Sequence, residues 1–156
     1  ASHLLFDELG RGRCLLDLDT LSRMILPFEL GDALRSWCNR VGEDQTEAAL
    51  STEFVDAALR GYAEGLRRAR APEHAWPTAE EVSTVAEGLL TIASELSMRF
   101  LTDALEERYF GFDPRRFASR GEHNLLRARG QLSLALQVER ARAEIDALAR
   151  VALRPA

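Results

Sequence analysis

Lysine is missing altogether: all 20 basic residues are arginine. That excludes a P-loop of the Walker type, whose lysine contacts the β- and γ-phosphates, and any chemistry through a lysine Schiff base or lysine nucleophile. Cysteine is almost as scarce. Cys14 and Cys38 are too few for a disulfide framework and stand in no metal-ligand cluster, so a reduced, cytoplasmic setting is expected. No apolar run approaches the ~20 residues of a membrane span, and no signal-peptide pattern opens the chain. A basic excess is lacking too. The 25 acidic and 20 basic side chains leave a net charge of −5, which argues against nucleic acid as the main partner.

What is present suits one domain over 1–156, since 46% apolar residues furnish a real core. Two short apolar runs, 4–6 and 14–16, flank a polar, glycine-bearing turn and predict a β-hairpin over 1–20. Its second strand, expected to be buried, ends in Asp17-Leu18-Asp19-Thr20. A helical subdomain follows over 21–156. Residues 21–31 read as irregular, with Pro27 and Gly31 as breakers. Gly31-Asp32 then starts a helix to about Val41, with Ala33, Leu34, Trp37 and Cys38 on one face. Ser51 or Thr52 caps a second helix to about Arg70.

Thr78-Ala79-Glu80-Glu81 reads as a capping box opening a helix to about Phe110, roughly 45–50 Å long if unbroken, so a bend is expected. An arginine- and aromatic-rich loop over 111–121 precedes a last helix from about Glu122 to Val151. Leu125, Ala128, Leu132, Ala135, Leu136, Ile145 and Leu148 are its expected buried side. Two long antiparallel helices should supply most of the core.

Two carboxylates at a strand exit are the most chemical feature of the chain. A hard divalent cation prefers carboxylate oxygen held rigidly, as in phosphotransferases that clamp Mg²⁺ against nucleotide phosphates. Two solvated aspartates at a strand end would give the same pattern. A haloacid dehalogenase-type D-x-D-G-[TV] motif is not matched, because the glycine is missing and no alternating strand–helix pattern follows.

The surrounding segments narrow the choice. Leu4-Leu5-Phe6-Asp7, Cys14-Leu15-Leu16-Asp17-Leu18-Asp19-Thr20 and Pro27-Phe28-Glu29-Leu30-Gly31-Asp32-Ala33-Leu34-Arg35 come first, in order. Met98-Arg99-Phe100-Leu101-Thr102-Asp103, Tyr109-Phe110 and Glu122-His123-Asn124-Leu125-Leu126-Arg127-Ala128-Arg129 lie downstream. Together they resemble the aminoglycoside phosphotransferase-like kinase family, and within it the N-acetylhexosamine 1-kinase branch. That branch carries V-I-D-L-D-T, Y-D-x-G-D-x-x-R, M-R-F-L-T-D, Y-F and H-N-L-x-R-x-R segments.

The resemblance implies a mostly α fold, the helical C-terminal lobe of a protein-kinase-like architecture with a small N-terminal β-hairpin. It implies transfer of the ATP γ-phosphoryl group to the hydroxyl of a small sugar or aminoglycoside-like acceptor. Asp17 would hold Mg²⁺ with Asp19 assisting, and Asp32 and Arg35 would be structural. Arg99, His123 and Asn124 would face the sugar.

The family's catalytic loop reads H-x-D-x₄-N. Its asparagine falls at His3, a weaker ligand for Mg²⁺, while the histidine and the aspartate base fall before Ala1. The nucleotide-binding lobe with its lysine also has no counterpart here. The expectation is therefore a kinase lobe inactive by itself, with cut apolar surface on which a second copy can settle. A non-catalytic helical interaction or dimerisation module, a degenerate kinase remnant, is the alternative from another class.

Overall fold

The computed structural model describes residues 4–16 and 23–154. It is mostly helical with one small antiparallel sheet. Strands β1 (Leu4–Phe6) and β2 (Gly12–Leu15) pair antiparallel, Leu4 opposite Leu15 and Leu5 opposite Cys14, with an irregularity between Leu5 and Phe6. Asp7 builds the turn, its Oδ1 accepting the backbone N–H groups of Leu9 (3.0 Å) and Arg11 (2.9 Å). Gly10 supplies the positive φ, +72°. The expected buried strand is instead exposed at every position of β2. Leu4 and Leu15 border a hollow of about 880 Å³ together with Glu29, Asp32, Ser36 and Trp37, so the hairpin is held chiefly by its own ladder and lies beside the helix that follows it rather than in the core.

Helix α1 spans Leu26–Trp37, starting earlier than the sequence predicts. Pro27 does not break it, because a proline in the first turn forfeits only an N–H that has no helical partner. Gly31 does not start it either. It lies at a backbone-to-backbone crossing with helix α4 (Val85–Glu106), where a Cβ on Gly31 would sit 2.7 Å from the carbonyl of Gly88. A Cβ on Gly88 would strike Pro27. Leu34 and Cys38 are buried as expected, but Trp37 is exposed.

The 38–51 segment folds back on the last helix. Gln137 donates to the Ala48 carbonyl (2.7 Å) and accepts the Leu50 N–H (2.9 Å). Helix α2 (Thr52–Arg68) starts at Ser51, whose hydroxyl accepts the Phe54 N–H. The Thr78 capping box forms as expected and opens helix α3, but α3 is only Ala79–Ser83. Thr84 breaks the long helix: its hydroxyl donates to the Glu80 and Glu81 carbonyls, competing with the backbone ladder.

Helix α5 runs Arg120–Ala152, about 50 Å, with Ser119 as its cap. It lies antiparallel to α4, tied by Arg142 to Glu87, Ser97 to the Ala128 carbonyl, and Asn124 to Asp103. The core is gathered between them, α1 and α2, around Leu34, Val55, Leu59, Leu89, Leu134 and Ile145. Leu125, Leu132 and Leu136 are exposed, contrary to expectation, while Gln131, Leu134 and Val138 are buried. The buried arc of α5 is set by contacts with α4, α2 and α3 together, which turn it away from those three leucines. No helix among the described residues is long and apolar enough to cross a membrane.

Candidate functional site

Three of the segments that carry the family resemblance, 98–103, 109–110 and 122–129, meet at one place. There α4 ends, the 107–119 loop turns back, and α5 begins. The knot is Asp103. An acid in the last turn of a helix opposes the macrodipole, and the loop beyond the helix end accounts for it. Glu107 takes a left-handed conformation (φ 52°), which turns the next three backbone N–H groups toward Asp103. Oδ1 accepts those of Arg108 (2.8 Å) and Tyr109 (2.6 Å), and Oδ2 accepts that of Phe110 (2.8 Å) and the Asn124 amide (2.8 Å).

The carboxylate is buried. Burial pushes its pKa up, but the N–H groups of Tyr109, Arg108 and Phe110 and the nearby Arg120 charge outweigh that and hold it below the usual range. The consequence is a fixed pair of rings. Tyr109 and Phe110 stand edge to face, and the Arg99 guanidinium lies over both, 5.5 Å and 5.4 Å from their centroids.

A second acid gathers the other side. Asp44 accepts from His123 Nε2 (2.8 Å), Arg127 Nε (2.8 Å) and an Arg116 amino group (2.9 Å). Burial raises the Asp44 carboxyl, and the bonds from Arg127 and His123 bring it below its ordinary value. His123 Nδ1 accepts the Asp113 N–H (3.2 Å), so the ring proton sits on Nε2, pointing at Asp44. Phe117 is stacked on the imidazole at 3.9 Å.

The three expected acceptor contacts therefore share one neighbourhood but not one exposure. Arg99 is roughly half exposed, whereas His123 and Asn124 are buried with their polar atoms engaged internally. Arg99 faces a shallow groove of about 890 Å³ along the outer side of α4, with Ser94, Met98, Thr102, Glu106 and Tyr109. Arg99 and Glu95 also line a smaller hollow of about 270 Å³ that reaches Asp32 and Arg35 of α1. Arg35 bonds Asp32 and Glu43, both at 3.0 Å.

His3, Asp17 and Asp19 lie outside the described residues. Among the described residues no group of three or more His, Cys, Asp or Glu is gathered as metal ligands are. Sequence reasoning misses the roles of two organising residues. Asp44 carries no local signal, its partners being 72 to 83 residues away. Asp103 does carry one, as an acid where a helix end disfavours it. A scan of the sequence against models of known protein families finds no match.

Proposed function

We propose that this chain is the acceptor-holding helical lobe of a phosphotransferase similar to the aminoglycoside phosphotransferase-like kinases, with the Arg99 groove as the seat of a small sugar. The observation that carries the reading is the convergence of three separated sequence segments on Asp103. A carboxylate that spends both oxygens on a loop makes that loop a platform, and this one presents a phenol, a phenyl face and a guanidinium to a groove. Aromatic faces suit the apolar faces of pyranose rings, and Arg99, Thr102, Ser94 and Glu106 supply donors and acceptors for hydroxyls. The groove is open, which fits a site completed by further parts.

The metal and nucleotide belong, on this reading, to the segment around Asp17 and Asp19. When bound, Mg²⁺ would supply charge neutralisation at the phosphates. The roles derived for the described residues are binding and orientation: Arg99 and Tyr109 contact the acceptor, and Asp103 holds Tyr109 in place. These 156 residues alone are expected to show no ATP-dependent phosphorylation of hexosamines.

The test is an NMR titration with N-acetylglucosamine. Shifts at the amides around Arg99, Tyr109 and Phe110 that disappear in Arg99→Ala support the proposal, and an unresponsive groove contradicts it. Thermal shift with Mg²⁺ and ATP, compared with Asp17→Asn, tests the metal end separately. The interaction-module reading keeps one observation of its own, the exposed apolar side of α5.

A further inference from the structure

Helix α5 is packed by α4, α2 and α3, and among the described residues its opposite side meets no other helix. That side is not uniformly polar. Leu132, Leu136, Ala143, Ala147 and Val151 are all exposed, Leu132 and Leu136 at 52% and Val151 at 56%. Steps of four and seven residues keep them on one side of the helix, within about 100° of its circumference.

The order of residues along the stripe is self-complementary. Leucines lie in its N-terminal part and alanines follow, with Val151 at the C-terminal end. An antiparallel copy centred near residue 142 sets Leu136 against the partner's Ala147 and Leu132 against the partner's Val151, and a two-fold axis makes each contact twice. Ala143, close to that axis, lets the helices approach. Beside Leu132 and Leu136 lies a hollow of about 440 Å³ whose other walls are polar, Glu47, Arg129, Ser133, Gln137 and Arg140, so the seam would be apolar along the leucines and polar at this edge.

The charges agree. Glu139 and Arg142 already pair with each other, and Arg142 also with Glu87. Arg140 and Glu144, on one flank of the stripe, have no ion-pair partner among the described residues. In the same antiparallel placement Arg140 meets the partner's Glu144, again twice.

We propose that the exposed side of α5 is a self-association surface, through which two copies of this chain form an isologous antiparallel dimer with the axis near residue 142. The surface is separate from the Arg99 groove, so it stands whether or not that groove takes a sugar.

Sedimentation equilibrium of the whole chain, from micromolar to near-millimolar concentration, tests it. A monomer–dimer equilibrium is expected. Leu136→Glu, a change on a side chain already half in solvent, should leave the helical circular dichroism intact and abolish the dimer. Arg140→Glu should raise the dimer Kd about tenfold or more, and adding Glu144→Arg should restore it by rebuilding both pairs in reverse. If Leu136→Glu fails to fold, the charge reversal and its rescue still decide. A monomer at every concentration overturns the proposal. So does a dimer indifferent to Leu136→Glu, or one lost instead with Leu105→Glu on α4.

Discussion

The hairpin and the α4/α5 apex use the same device with opposite surroundings. In each, one aspartate gathers backbone N–H groups from the residues after it: Asp7 takes those of Leu9 and Arg11, Asp103 those of Arg108, Tyr109 and Phe110. Asp7 sits in a solvent-washed turn between exposed strands, and Asp103 is buried between two helices. Water can replace the first carboxylate readily, and the second less so, because the hydrogen bonds it accepts from the loop are partly buried. Hydrogen bonds of the same kind therefore differ in consequence, because what matters is the cost of leaving a donor unmet.

The largest effect should come from breaking that contrast directly. Asp103→Ala leaves three backbone N–H groups and the Asn124 amide without their acceptor, and should cost about 3–5 kcal/mol in denaturant unfolding. Asp7→Ala should leave the unfolding of the helical core unchanged. Equal losses from the two would refute the comparison.

Gly88→Ala comes next. Its new methyl would meet Pro27 at the α1/α4 crossing, and overpacking of backbone against backbone should cost about 3 kcal/mol, read as a lower denaturant midpoint. The same change at Gly61, which has open space where a Cβ would go, should be mildly stabilising, by about 0.5–1 kcal/mol.

Acid should sharpen the picture further. The Asp103 and Asp44 carboxyls both lie below their ordinary values in the folded chain. A depressed carboxyl stabilises the fold above its unfolded pKa, and that stabilisation is lost as pH falls through the folded value. The melting temperature should therefore be level near neutrality and fall below about pH 4. Asp103→Asn should flatten the fall, and an unchanged acid slope would contradict the assignment.

The smallest effect is chemical. Cys14 is exposed on β2, while Cys38 is fully buried and burial pushes its thiol up to about 11. Alkylation of the native chain should label Cys14 alone, and Cys38 only after unfolding. Early labelling of Cys38 would show the end of α1 to be open.

The same contrast explains how much the sequence discloses. Local devices are legible: Ser51 and Thr78 cap helices because a hydroxyl satisfies nearby amides, and the turn at Asp7–Gly10 is readable from its own residues. Features whose cause lies across the fold are not. Gly31 reads as a breaker because its reason, the backbone of Gly88, is far along the chain. Leu132 and Leu136 read as core because periodicity marks an apolar stripe without saying which side meets a neighbour. Arg99 is picked out by its segment and does line a groove. His123 and Asn124 are picked out the same way, but their side chains turn inward, since α5 faces the returning loop there. Asp44 belongs to no local pattern, and only the fold brings it to His123 and Arg127.

Hydrogen–deuterium exchange at the backbone amides of Arg108, Tyr109 and Phe110 tests most directly whether one buried carboxylate holds the loop beside Arg99. These loop amides should exchange as slowly as those in the middle of α4, and become fast in Asp103→Ala variants that retain helical structure. Exchange in the native chain as rapid as that of the hairpin turn would contradict it.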